Sequence, residues 1–377
     1  MKKTTLVFAI LAFALIISAC GPVAATPPAG ATSAPPASMT KATVVLQWVV
    51  QSQFAGYYAA LEKGYYKEVG LDVTIKPGGP DIAPAQVVGS GGAEFGVGWL
   101  PGRILAPREQ GTKLVNIAQV FQRSGTLELS WKDTSISKPA DWKGKKVATW
   151  GLGNEPELYA AMRQVSIDPD KAADVTIVKQ PFDMSLLLNR EVDAAQAMIY
   201  NEYAQVLEAT NPKTGALYKP EDLNVVDFNQ VGTAMLQDGV MAREDWLADA
   251  KNQDTAVKFL QATFKGWVFC RDNFDECVNI VLKNGPTLGK SHMAWQLNEI
   301  NNLIWPSPGG IGLMDAKLYA QTIDIAVKYG VLKNKPDDKA YRTDLAQKAV
   351  DALKAAGVDV TGASYKKRAV ELKKGGE

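Results

Sequence analysis

Three tryptophans stand where short apolar runs end. Trp48 closes the run that begins at Val44, Trp99 follows Phe95-Gly96-Val97-Gly98, and Trp150 follows Val147-Ala148-Thr149. Neutral amides lie near them: Gln47, Gln51 and Gln53 beside the first, Gln119 and Gln122 around the end of a fourth apolar run, and Asn154 just after Trp150. Tyr200-Asn201-Glu202 follows another small-residue run, and Tyr57 lies on the apolar side of the segment after Gln53. Aromatic faces stack on flat rings, with roughly 0.5–1.5 kcal/mol per contact beyond burial. Primary amides offer both a donor and an acceptor. Together these residues could clamp a flat, uncharged heterocycle. The candidate set is Gln47, Trp48, Gln53, Tyr57, Trp99, Gln119, Gln122, Trp150, Asn154, Tyr200, Asn201 and Glu202.

Catalytic alternatives are narrowed by inventory. His292 is the single histidine, so no cluster of imidazoles can hold a metal and no HExxH helix exists. A Ser–His–Asp triad would have to use it, and no nucleophile elbow lies nearby; His292 reads as structural. Gly89, Gly91 and Gly92 lack the GxGxxG spacing of a phosphate cradle. An anion requires an arginine, a lysine or exposed helix amides. Arg123 is the nearest cation to the candidate loops and Arg103 reads as one turn into a helix, so the loops favour a neutral ligand.

The elements that must position these residues alternate between strand and helix. Val44–Val49 reads as a buried strand. Phe54, Tyr57, Tyr58, Leu61 and Tyr65 have helical spacing, and Leu71–Ile75 is a second strand. Such a unit makes the two strands parallel, and ligands bind beyond the carboxyl ends of parallel strands. The alternation continues through Ala93–Trp99 and Leu114–Val120, then starts again at Val147–Trp150, Val175–Val178 and Val192–Ile199. Extended segments at Leu127–Trp131 and Gly239–Ala242 separate the two series. The expected fold is therefore α/β with two lobes, each a doubly wound sheet flanked by helices. Later segments (Thr255–Cys270, Phe274–Leu282, Met293–Leu303, Leu318–Tyr329 and Thr343–Ala356) read as helices covering the first lobe, followed by a solvated, frayed basic end at Tyr365–Arg368.

At the start, Lys2 and Lys3 precede an apolar run from Leu6 to Ile17, then Ser18-Ala19-Cys20. That order is a secretory signal, short for a membrane span. Ile17–Cys20 resembles a bacterial lipobox, which implies a lipid on Cys20. The next residues are Pro, Ala, Thr, Ser and Gly, a composition that serves as a flexible tether. The expected division is a signal at 1–19 and a lipidated tether at 20–42. Residues 43–130 with 236–335 form the first lobe, 131–235 the second, and 336–377 a helical extension on the first. The chain has 41 Lys and Arg against 40 Asp and Glu; loss of Lys2 and Lys3 leaves 39 against 40. Near-neutrality gives no reason to expect nucleic acid. Cys270 and Cys277 in one unbroken helix would be ~10.5 Å apart, beyond disulfide reach. Arg271-Asp272-Asn273 interrupts the pattern, however, and a turn there would allow the bridge that an exported chain favours.

Trp48, then Ala55-Gly56-Tyr57-Tyr58-Ala59-Ala60, then Glu62-Lys63-Gly64-Tyr65-Tyr66-Lys67-Glu68-Val69-Gly70-Leu71-Asp72-Val73 resembles the opening of the NMT1/THI5-like family. Lys138-Pro139-Ala140-Asp141-Trp142-Lys143-Gly144-Lys145-Lys146-Val147 resembles the same family's passage into its second lobe, with Trp142 replacing the usual Leu. Tyr200-Asn201-Glu202 resembles its Asn-Tyr-Glu-type motif in a different order. The resemblance implies a type II periplasmic-binding-protein clamshell of an ABC importer, with Glu202 helping to hold a heterocycle's amino or imide face. It implies as partners a permease and its ATPase, and a monomer lipid-anchored to the outer face of the cell membrane. The family's ligands include riboflavin, thiamine pyrimidine precursors such as hydroxymethylpyrimidine or formylaminopyrimidine, sulfonates and nitrate. The aromatic area favours riboflavin, as transported ligand and not as cofactor, with the pyrimidines second and the anions behind. The family's pyrimidine synthases need an active-site histidine and a cysteine-rich motif, neither of which is suitably placed here.

Overall fold

Among the described residues ten strands form two sheets. The structure is a computed structural model and describes residues 39–377 except Leu152. Cys20, the signal segment and most of the tether lie outside the described residues. In chain order the strands are β1 (Thr40–Val45), β2 (Leu71–Lys76), β3 (Phe95–Trp99), β4 (Leu114–Gln119), β5 (Thr126–Trp131), β6 (Lys146–Thr149), β7 (Thr176–Lys179), β8 (Ala194–Met198), β9 (Leu223–Asp227) and β10 (Asp238–Arg243). The first sheet has the order β2-β1-β3-β10-β4 and the second β7-β6-β8-β5-β9.

Both sheets follow one plan. In the first, β1 pairs parallel with β2 and β3, while β10 runs antiparallel to β3 and β4. In the second, β6 pairs parallel with β7 and β8, while β5 runs antiparallel to β8 and β9. The reversed strand in each sheet is the one that has just crossed from the other. Its amino end therefore lies where its parallel neighbours have their carboxyl ends: Asp238 stands opposite Trp99, and Thr126 opposite Met198.

Helices cover the sheets. Ala55–Glu62 crosses the long helix Ala250–Asp272 at two glycines. A Cβ on Gly266 would lie 2.1 Å from the Gly56 oxygen, and one on Gly56 would lie 2.3 Å from the Trp267 ring, so this backbone approach requires both. The crossing turns Tyr57 inward, with its ring edge-on to Trp267 at 6.1 Å. Ala250–Asp272 ends before Asn273 and Phe274–Asn284 begins after it. The break brings the Cys270 and Cys277 Cα atoms to 5.1 Å, joined by a disulfide. Among the described residues no helix is long and apolar enough to cross a membrane.

Several boundaries differ from the sequence reading. β1 starts at Thr40, within the expected tether, because it pairs residue for residue with β2 from Thr40 to Val45. It also stops at Val45, so Trp48 stands in the following loop and not at the strand end. β5 belongs to the second sheet and not to the first lobe; all six of its residues are buried, as suits an interior strand. The basic end is tied down: Asn298 donates to the Arg368 carbonyl and accepts from its amide, both at 2.9 Å, and Lys367 meets buried Glu299 at 2.5 Å. The last turn, Lys374–Gly376, packs on the Glu202–Glu208 helix of the second lobe as well as on Lys290–Ile304, so the extension is not confined to the first lobe.

Candidate functional site

The carboxyl ends of the two sets of parallel strands face each other across a cleft. From the first lobe Gln47, Trp48, Gln51, Gln53, Trp99 and Arg103 line it, and from the second Trp150, Asn154, Phe182, Met198, Tyr200, Asn201 and Glu202. The cavity measures about 60 Å³, well below the roughly 300–1,000 Å³ of a small-molecule pocket. The lobes stand close. Trp48 packs on Phe182 across the mouth with ring centroids 4.6 Å apart, and a Cβ on Gly102 would lie 2.8 Å from the Gly153 oxygen opposite. A heterocycle can enter only if the lobes part.

The wall of the first lobe is a network of amides on one carboxylate. Asp238, 2% exposed, accepts from Gln47 Nε2 on Oδ1 and from Gln53 Nε2 on Oδ2 at 2.9 Å. Gln53 Oε1 in turn accepts from Gln51 Nε2 at 2.6 Å. Burial pushes the Asp238 carboxyl up to about 7, opposed by the Gln53 hydrogen bond and the Arg103 charge. Arg103 sits on the Leu100–Leu105 turn that continues directly from β3. Burial lowers its guanidinium below the usual range, opposed by Asp238 and Glu155. Its Nη2 reaches Asn154 Oδ1 of the other lobe at 3.4 Å.

In the second lobe, Trp150 is 4% exposed and its Nε1 has no acceptor among the described residues. Asn154 is fixed by donating to the Gly151 carbonyl at 2.9 Å, while its own carbonyl accepts from Gln196 at 2.8 Å. Glu202 starts its helix and turns back. One carboxylate oxygen accepts from the Met198 amide at 2.9 Å and the other from Asn201 Nδ2 at 2.7 Å. Burial raises its carboxyl above the ordinary range. His292 stands behind this wall, with Nε2 against Asn201 Oδ1 at 2.8 Å and Nδ1 against Glu208 at 2.7 Å.

Buried polar side chains join the two crossings between lobes. Glu157 accepts from Ser124 Oγ at 2.8 Å and from the Met235 amide at 2.6 Å. Gln237 donates to Ser124 Oγ and Thr126 Oγ1 and accepts from the Gly125 amide at 2.9 Å. The two crossings are thus bonded to each other through these side chains.

Nine of the twelve candidate residues meet in the cleft; Tyr57, Gln119 and Gln122 do not. Tyr57 is held in the core by the glycine crossing. Gln119 donates to the carbonyls of Phe121 and Gln237, and Gln122 to those of Gln119 and Leu313, so both brace the crossings. Arg123 is likewise spent on carbonyls, including those of Leu303 and Pro306. The candidate set lacked Gln51, Arg103, Phe182, Met198 and the underlying Asp238. For Gln51 the signal was its place between Gln47 and Gln53. Arg103, expected to lie away from the site, removes the reason for setting anionic ligands aside.

A family model described as NMT1/THI5 like matches residues 51–277. The riboflavin-binding protein RibY of Chloroflexus aurantiacus is 23% identical over 345 residues, 88% of this chain and 94% of that one. The formylaminopyrimidine-binding protein of Halalkalibacterium halodurans is 24% identical over 243 residues, 64% of this chain and 69% of that one. Among solved structures, the periplasmic aliphatic sulphonate-binding protein SsuA from Escherichia coli superposes with a TM-score of 0.56 at 17% identity, covering 82% of this chain and 91% of that one. The two-sheet architecture is the periplasmic-binding-protein fold.

Proposed function

We propose that this chain, which belongs to the NMT1/THI5-like family, is the solute-binding component of an ABC importer and captures riboflavin between its lobes. The observation that carries the reading is the convergence of Trp48, Trp99, Trp150, Phe182 and Tyr200 from both lobes around a group of amides. That is more flat surface than one pyrimidine ring covers, and it suits a tricyclic ring. The amides match an imide and a polyhydroxyl chain, each of which offers donors and acceptors. The likeness to RibY over most of both chains supports the same ligand. On this reading the open form admits riboflavin, closure completes the wall, and the closed form is delivered to a permease and its ATPase. A lipid on Cys20 anchors the chain outside the cell membrane. His292, bonded behind the wall, is not offered to a ligand, which supports binding over catalysis.

Arg103 favours a second reading. A guanidinium lining the cleft suits a sulfonate, although Asp238 offsets its charge. Fluorescence titration of the purified protein with riboflavin, hydroxymethylpyrimidine and taurine separates the readings. Riboflavin emission should be quenched on binding, and Trp150→Ala should weaken binding by about 5- to 150-fold, given ~1–3 kcal/mol for a ring stacked on an aromatic. Binding of taurine alone would overturn the vitamin reading; binding of the pyrimidine alone would move it to the smaller ring.

A further inference from the structure

We propose that Asp238 is a positioning residue that sets the hydrogen-bonding face the first lobe shows to a ligand. By holding the amide nitrogens of Gln47 and Gln53, it leaves carbonyl oxygens for the cleft and makes this wall select N–H donors. The proposal deepens the ligand reading and rests on the cleft being the ligand site.

Above about pH 7, where the Asp238 carboxyl is ionised, it only accepts hydrogen bonds, so each glutamine turns its –NH₂ toward Asp238, one on each oxygen. The oxygen and nitrogen of a primary amide lie on opposite sides of one carbon, so fixing one directs the other. Gln53 spends its oxygen on Gln51 Nε2. Gln47 Oε1 and Gln51 Oε1 are then left without a donor among the described residues, on two residues that line the cleft. Flipping either glutamine on Asp238 would set an amide oxygen against a buried carboxylate, which is strongly unfavourable. Asp238 cannot swing away. It begins β10 opposite Trp99, and its carbonyl accepts from the amides of Val120 and Phe121 at 3.1 Å each. Arg103, from the neighbouring turn, brings donors to the same cleft. The wall therefore combines acceptors fixed by Asp238 with donors from Arg103. An imide N–H flanked by carbonyls, or a ring amino group beside a ring nitrogen, meets that combination; a ring alkylated at that nitrogen does not.

The test is Asp238→Asn, which keeps the size, compared with wild type at pH 8, where Asp238 is ionised. Asparagine can accept from one glutamine but must donate to the other, whose –NH₂ then turns toward the cleft. The probes are riboflavin with 3-methylriboflavin, and 4-amino-5-hydroxymethyl-2-methylpyrimidine with its 4-methoxy counterpart. Wild type should prefer the N–H member of the bound pair at least tenfold. Asp238→Asn should narrow that ratio about tenfold or reverse it. An equal loss for both members, or an unchanged ratio, overturns the proposal, because a merely structural role would not alter selectivity. If neither pair binds, the vitamin reading fails separately, and the amide orientation is decided without ligand. In the ¹H–¹⁵N spectrum, the Gln47 and Gln53 side-chain signals are assigned from their loss in Gln47→Leu and Gln53→Leu. One of the two should move to the free-amide position in Asp238→Asn; two unmoved signals overturn the proposal.

Discussion

Glu157→Gln is expected to remove one share of the protein's loss of stability between pH 5 and pH 8. The Glu157 carboxyl is enclosed between the two crossings, where it accepts from Ser124 and the Met235 amide. Burial pushes it from an ordinary 4.5 up to about 7, although these hydrogen bonds favour the charged form. Between those values the folded chain keeps a proton that the unfolded chain has released. The contribution to stability is therefore full below pH 4.5 and is lost as pH rises to about 7. A displacement from 4.5 to about 7, at about 1.4 kcal/mol per pH unit, corresponds to ~3 kcal/mol. Glutamine has the same shape and no titration, and its Oε1 can keep the Met235 amide as donor. Urea unfolding of both proteins at pH 5, 6, 7 and 8 measures the difference. The variant should gain ~2.5 kcal/mol relative to wild type between pH 5 and pH 8, the rest of the loss lying below pH 5. Asp238, displaced from 3.8 to about 7 by burial, and Glu128, Glu202 and Glu299, raised by the same cause, leave a slope of the same sign in both. Parallel pH profiles for the two proteins would show that Glu157 is not held protonated and would refute the reasoning.

Two further outcomes follow from the cysteines. The Cys270–Cys277 bridge spans a sequence separation of 7, and closing so short a loop restrains the unfolded chain by about 2–3 kcal/mol. Replacing both cysteines by alanine should lower unfolding stability by about that amount; two free thiols in protein prepared without reductant would deny the bridge. Cys20→Ser should release the chain from the membrane fraction or leave it unprocessed, and unchanged fractionation would count against lipid anchoring.

Much of the cleft is legible in the residues because apolar runs announce parallel strands, and the carboxyl ends of those strands face the cleft. Trp99 ends β3, Trp150 follows β6 directly, and Tyr200 lies two residues after β8. Trp48 arrives there from a loop, so its place in the cleft was readable although its strand boundary was not. The rule misleads for Gln119, which does end β4. Because β10 lies beside β4, the Gln119 amide is spent on the two crossings. Arg103 was illegible for a local reason: the turn after Trp99 begins at once, and a residue counted as one turn into a helix stays at the cleft. Asp238 was illegible for a global one. It begins a strand, and in a sheet of parallel strands a first residue belongs at the end away from the ligand. β10 is reversed, however, because it returns from the other lobe, and it inserts between β3 and β4 instead of adding at an edge. Neither fact is written in the Asp238–Arg243 segment, whose alternation would serve either direction. Direction and neighbour place a carboxylate under three glutamines, and the same six residues read in a parallel strand would put it on the far side of the lobe.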